Sequence, residues 1–343
     1  MAARLIEGFD HYNNEAGLNA KNWFFFRPSG GNATFLAGRW GGNCMQWNTN
    51  NNLSYAYKIL PSSYSTIHLG LAYYHPDPII GKLYFLWLLN SGAGTGMRLA
   101  IDNASRTMRV TDGSGTDKAS GTYQYLDNVW NSIEVKLVIA GASGSVQVRA
   151  NGVVDIATTT ANFGSSNVDI IQLGGVPNNG QFQRFDDLYI LDTTGAAPLN
   201  DFLGDSRVET IVPTGAGSST VWTPNGGANW DRVDDSTPDS DTTYVQASAV
   251  NDKDTYVHGD LTASAGQVFA LQHNLFSRKT DTVIRKSKPV IRHSGVDYDS
   301  SVEQNLGSSY AYGTEIIEVN PGTGVAWTVS DVNAAQFGMK VST

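Results

Sequence analysis

Cleaving a glycosidic bond takes two carboxylates flanking it, one as acid and one as nucleophile or base. Glu134 sits in an alternating segment with no acidic partner, while Glu315 and Glu318, three apart, would point to opposite faces of a strand. Solvated strand edges account for all three. No Gly-x-Ser-x-Gly nucleophile elbow occurs, since Gly141-Ala142-Ser143-Gly144-Ser145 misses its final glycine. Gly92-Ala93-Gly94-Thr95-Gly96 lacks the spacing and the lysine of a phosphate-cradling loop and reads as a hairpin loop. The six histidines (11, 68, 75, 258, 273 and 293) never pair at metal-ligand spacing, and His68, alternating with apolar residues, is expected in solvent. Asp186-Asp187 and the Asp235, Asp239, Asp241 loop could offer oxygens to a hard cation. Neither fits a calcium-loop pattern, and turn aspartates bonded to their own backbone account for them. The expectation is a chain with no catalytic residues, no metal and no cofactor.

Binding chemistry has more to work with. Trp40, Asn43, Trp47 and Asn50 lie in one glycine- and asparagine-rich stretch, where indole faces could stack on sugar rings while amides bind hydroxyls. The competing reading makes both tryptophans core residues and the asparagines turn formers, and the usual burial of tryptophan favours it. A basic run containing Arg285, Lys286, Lys288 and Arg292 could grip an acidic surface. Asp234, Asp235, Asp239 and Asp241 form an acidic run in the same half of the chain, so copies could meet basic patch to acidic patch.

The elements that must position these residues are strands. With 36 glycines, 8 tryptophans, 15 tyrosines and 16% charged residues, the composition favours many short strands joined by tight turns. The clearest stretch is Val129 to Ile156: Ile133, Val135, Leu137 and Ile139 alternate with more polar neighbours, as do Val146, Val148 and Ala150. Asn151-Gly152 suits the two positive-φ positions of a type I′ hairpin, so the chain should return through Val153, Val154 and Ile156. Trp23-Phe24-Phe25-Phe26, a continuous apolar run, is expected as a strand buried on both faces. Lys82 to Asn90 reads as a central strand.

Length points to two domains. Gly195 to Asn200 reads as the linker, giving domains at 1–196 and 197–343. Thirteen basic residues face fourteen acidic ones before Pro198 and ten face eighteen after it, so nearly all of the net charge of −9 lies in the second domain. That balance argues against sequence-specific nucleic-acid binding. One cysteine, Cys44, allows no internal disulfide. The start, MAARLIEGFDHYNN, lacks the apolar run of a signal peptide, and Leu83 to Leu89 is too short to span a bilayer. A soluble protein made in the cytoplasm is expected, without membrane insertion.

The strand opened by Trp130, the strand ending in Asn151-Gly152, the apolar strand leading to Gly174-Gly175 and the final Phe185-Asp186-Asp187-Leu188-Tyr189-Ile190-Leu191-Asp192 together resemble the concanavalin A-like, laminin-G-like jelly roll. The resemblance implies an all-β fold: an N-terminal jelly-roll sandwich, here followed by a smaller C-terminal β-sandwich. Hydrolases of that family carry Glu-x-Asp-x-Glu on one strand, which is absent here. Asp234 to Val245 and Trp327 to Val341 resemble C-terminal domains of tailed-bacteriophage virion proteins. That resemblance implies a non-enzymatic structural protein on the virion exterior, in the tail, baseplate, decoration or fibre. It would contact other virion proteins and itself, as a homo-oligomer such as a trimer. The alternative is a lectin-like module for a host surface glycan; a glycan hydrolase comes third.

Overall fold

A computed structural model of the chain describes residues 2–27, 31–48, 54–75, 81–175, 182–263 and 266–343, and the counts below are of those residues. The chain divides into two compact units, Met1–Val208 and Glu209–Thr343.

The first unit is two antiparallel sheets. One has eight strands, ordered Val153–Thr158, Ser145–Ala150, Trp130–Val138, Thr66–Tyr74, Phe182–Leu191, Asn43–Asn48, Asn32–Ala37, with Ala3–Glu7 also paired to Phe182–Leu191. The other has seven, ordered Asp117–Ser120, Met108–Asp112, Gly96–Asp102, Lys82–Leu89, Val168–Gly175, Ser54–Tyr64, Trp23–Phe26. Successive strands pass from one sheet to the other, as at Ser54–Tyr64, Thr66–Tyr74 and Lys82–Leu89, which makes this a jelly-roll sandwich. The expected hairpin is present: Ile133 faces Ala150, Val135 faces Val148, and Asn151 and Gly152 have φ of 48° and 81°. Lys82–Leu89 is indeed central.

Alternation sends one set of side chains between the sheets. Tyr73 of the eight-stranded sheet and Phe85 of the seven-stranded sheet stack with ring centroids 4.0 Å apart, surrounded by Leu69, Leu71, Val135, Leu99 and Phe185. Trp23 and Trp47 are wholly buried in this core. Two expectations change. Trp23–Phe26 is an edge strand, not a strand buried on both faces: Trp23 points inward while Phe24 and Phe26 stand 42% and 41% exposed. The expected linker at 195–200 belongs to the first unit, so the boundary falls at Val208 rather than at residue 196.

Residues 201–208 stay with the first unit because they cross the outer face of the eight-stranded sheet. Tyr189 and the Gly204 amide both donate to Glu134 Oε1, at 2.6 and 2.7 Å, and the Leu203 amide donates to the Tyr189 hydroxyl at 3.1 Å. The Phe202 ring lies under the Arg149 guanidinium at 4.1 Å and edge-on to His68 at 5.7 Å. Gly70 makes this possible, since a Cβ there would sit 2.1 Å from the Tyr189 ring. His68 and Glu134 are therefore buried, against the expectation of solvent exposure for both. Burial, with Lys136 adding to it, pushes His68 down to about 4.

The second unit is a smaller sandwich. A six-stranded antiparallel sheet runs Pro213–Thr220, Lys253–His258, Gln336–Val341, Lys286–His293, Val296–Asp299, with Gln304–Asn305 also on Lys286–His293. Two-stranded ribbons pack against it: Ile291 and Phe337 of the sheet meet Trp327, Val268, Leu271 and Ile317, and Tyr256 and Met339 meet Leu275. The stretches 208–212 and 282–284 are loop.

Candidate functional site

Strand register lines up a row across the outer face of the seven-stranded sheet. Phe24 pairs with Tyr57, Tyr57 with Gln172, Gln172 with Trp87, Trp87 with Arg98, and Arg98 with Thr111. From Phe24 to Arg98 the row crosses five strands, about 19 Å at the usual strand spacing. Phe26 and Tyr55 lie beside it as the next outward pair.

The rings are in contact along the row. Phe24 and Tyr57 are 5.4 Å apart, Phe26 stacks on Tyr55 at 5.1 Å, and Tyr55 meets Tyr57 and Trp87 at 6.0 Å each. Tyr84 sits edge-on to Trp87 at 6.1 Å, and the Arg98 guanidinium lies 4.0 Å over the indole. Six aromatic side chains and one cation thus make a continuous strip. Polar groups inside it are underused: Trp87 Nε1, Arg98 Nε and Gln172 Nε2 are buried with no hydrogen-bond partner among the described residues. At its Phe24 and Phe26 end the strip offers exposed ring faces for the C–H faces of a flat ligand.

The residues singled out from sequence fall elsewhere. Trp47 is wholly buried; its indole N–H donates to Ser54 O at 2.9 Å and its ring stacks on Phe25 at 5.7 Å, so it presents no face to a sugar. Asn43 is a bracket, donating from Nδ2 to Tyr12 O at 2.9 Å and from its backbone to Asp10 Oδ1 at 3.1 Å. Trp40 is 52% exposed, under the Arg39 guanidinium at 4.8 Å and near Arg207 at 5.8 Å. Asn50 lies outside the described residues. Trp40, Asn43 and Trp47 do not converge on one surface: the core takes Trp47, while Trp40 is exposed.

The charged runs are already engaged within the second unit. Arg285 pairs with Asp281 at 2.8 Å, Lys286 with Glu303 at 2.8 Å, Lys288 with Asp299 at 3.5 Å and Arg292 with Asp297 at 2.7 Å. Asp241 pairs with Arg278 at 2.8 Å, and Asp235 and Asp239 accept from the Thr243 hydroxyl at 3.0 and 2.9 Å. Asp234 lies near the Arg232 cation. Each cation of the basic run therefore has a local carboxylate, and none of the four comes from the 234–241 run.

Asp186 and Asp187 are buried at a register shift in Phe182–Leu191, where Asp187 takes φ of 52°. Asp186 accepts from the Arg39 amide and Asp187 from the Val208 amide, at 2.9 and 2.8 Å. Burial raises both carboxyls well above the usual range, and for Asp186 the neighbouring Asp187 adds to it. Among the described residues no group of three or more acidic, histidine or cysteine side chains is arranged to hold a metal ion.

No protein-family model and no curated protein matches this chain. Solved structures do resemble it. The cellulose induced protein Cip1 is 12% identical over 54% of this chain and 96% of its own, with a TM-score of 0.43. Carbohydrate binding module CBM66 from Bacillus subtilis is 11% identical over 50% and 96%, with a TM-score of 0.36. Lectin II from Ulex europaeus is 12% identical over 55% and 97%, also at 0.36. The likeness concerns the fold alone.

The aromatic strip escaped the sequence reading because WFFF carries no polar alternation to tell an outward ring from an inward one. Tyr55 and Tyr57 did carry a signal, being two apart in a strand.

Proposed function

We propose that the first unit binds a glycan chain along the row Phe24, Tyr57, Gln172, Trp87 and Arg98, and that the chain acts by binding rather than catalysis. One observation carries this: the register aligns the exposed Phe24 ring, the half-buried Tyr57 ring and the half-buried Arg98 cation in a single row. A row of about 19 Å seats roughly four pyranose rings. An exposed apolar strip of this kind lowers solubility unless it is used. The test is titration of the intact protein with glycan-array hits. Phe24→Ala and Tyr57→Ala each weaken binding about fivefold or more, at about 1 kcal/mol per aromatic contact. Wild-type affinity retained in both, or no glycan bound by the wild type, defeats the reading.

For the setting we retain the exterior of a tailed-phage particle, on the resemblance carried by Asp234 to Val245 and Trp327 to Val341. Glycan binding there would serve attachment to a host surface. Mass spectrometry of purified particles decides it: absence of this chain from virions removes the setting and leaves the binding reading intact.

A further inference from the structure

From the charge state of the strip we infer that its ligand is an acidic glycan, a chain bearing sugar carboxylates, with Arg98 as the residue that receives the carboxylate. The inference rests on the glycan reading above and narrows it. The other cations near this face of the sheet already have carboxylates: Arg109 has Asp102 at 3.6 Å, Lys118 has Asp112 at 2.8 Å, and Lys82 has Asp117 at 2.7 Å. Arg98 has none among the described residues. Its Nη2 donates to the backbone carbonyl of Gly113, and its Nε has no acceptor. The nearby Asp112 carboxylate is spent on Lys118, Ser114 and Thr116.

Trp87 Nε1, Arg98 Nε and Gln172 Nε2 are buried out of a ligand's reach, so the selection falls to the terminal guanidinium of Arg98. A carboxylate answers an arginine charge that has no counter-ion, and with Nη2 on Gly113 and Nε buried the contact is made by one N–H rather than a pair. Its contact with the Trp87 ring, 4.0 Å from the centroid, restricts the guanidinium before the ligand arrives. A neutral glycan would stack on the same rings and leave the cation unanswered.

The experiment uses the intact chain and oligosaccharides of polygalacturonate, alginate, hyaluronan and polysialic acid, each beside its carboxyl-reduced counterpart, in isothermal titration. At least one acidic form binds about tenfold more tightly than its reduced form, and the preference shrinks as salt rises. Arg98→Gln abolishes the preference, whereas Arg98→Lys, which keeps the charge and the fold, retains part of it. Equal binding of acidic and reduced forms, or a preference unchanged in Arg98→Gln, overturns the inference and leaves glycan binding standing. No binding by any acidic or neutral oligosaccharide, here or on the array, overturns both.

Discussion

On the eight-stranded sheet the outward residues Glu134, His68 and Arg149 lie beneath the chain's own residues 201–204. On the seven-stranded sheet the outward row has no such cover among the described residues, and Phe24 and Phe26 stay exposed. The two faces come from the same alternation in the same sandwich. On the first, a returning segment supplies the Gly204 amide to Glu134 Oε1 and the Phe202 ring to Arg149 and His68, while Glu134 Oε2, both His68 ring nitrogens and Arg149 Nε stay buried without a hydrogen bond. On the second, the Phe24 and Phe26 rings remain available. The covered face is therefore structural and the open one available for binding.

Five changes break or sharpen this contrast. Gly70→Val on the covered face drives a side chain into the Tyr189 ring and should cost about 3 kcal/mol by overpacking, read as a loss in denaturation midpoint. Glu134→Ala leaves the Tyr189 hydroxyl and the Gly204 amide without their acceptor; about 2 kcal/mol of stability is lost, and hydrogen exchange should quicken at residues 203–204 first. If that region exchanges no faster, the segment is held by something other than Glu134.

Phe24→Ala on the open face should reverse the pattern. Its stability changes by no more than about 0.5 kcal/mol, while glycan affinity falls; Phe202→Ala on the covered face does the opposite. A shared response in both variants would erase the distinction between the faces.

The smallest effect concerns Asp186 and Asp187, which burial keeps protonated above the ordinary carboxylate range. A carboxyl raised in the folded state contributes stability that is full below its unfolded value and lost as pH rises through the raised one. Asp187→Asn stays neutral and still accepts from the Val208 amide, so thermal melts should match wild type at about pH 4 and exceed it by about 1 kcal/mol at about pH 8. Equal melts at both pH values would mean the pair is not strained by charge.

Much of the sandwich was legible because strand period and turn chemistry are local. The alternation from Ile133 to Ile139 and the positive-φ pair Asn151-Gly152 need no distant partner to be read. The site was much less legible. Trp40 and Trp47 looked alike in one stretch, yet one is on the surface and the other in the core. The strip draws on strands more than 140 residues apart in sequence, Phe24 to Gln172, and no spacing rule connects them.

By itself the sequence determined an all-β chain, its hairpins, the inward set of apolar residues and the lack of a paired-carboxylate strand motif, all properties of neighbouring residues. Tertiary structure alone decided that Glu134 and His68 are buried, that the basic run of the second unit pairs with carboxylates outside the acidic run, and that Phe24, Tyr57, Gln172, Trp87 and Arg98 form one row. The physical reason is that strand order and register are settled by packing between segments remote in the chain, and only register says which outward side chains become neighbours.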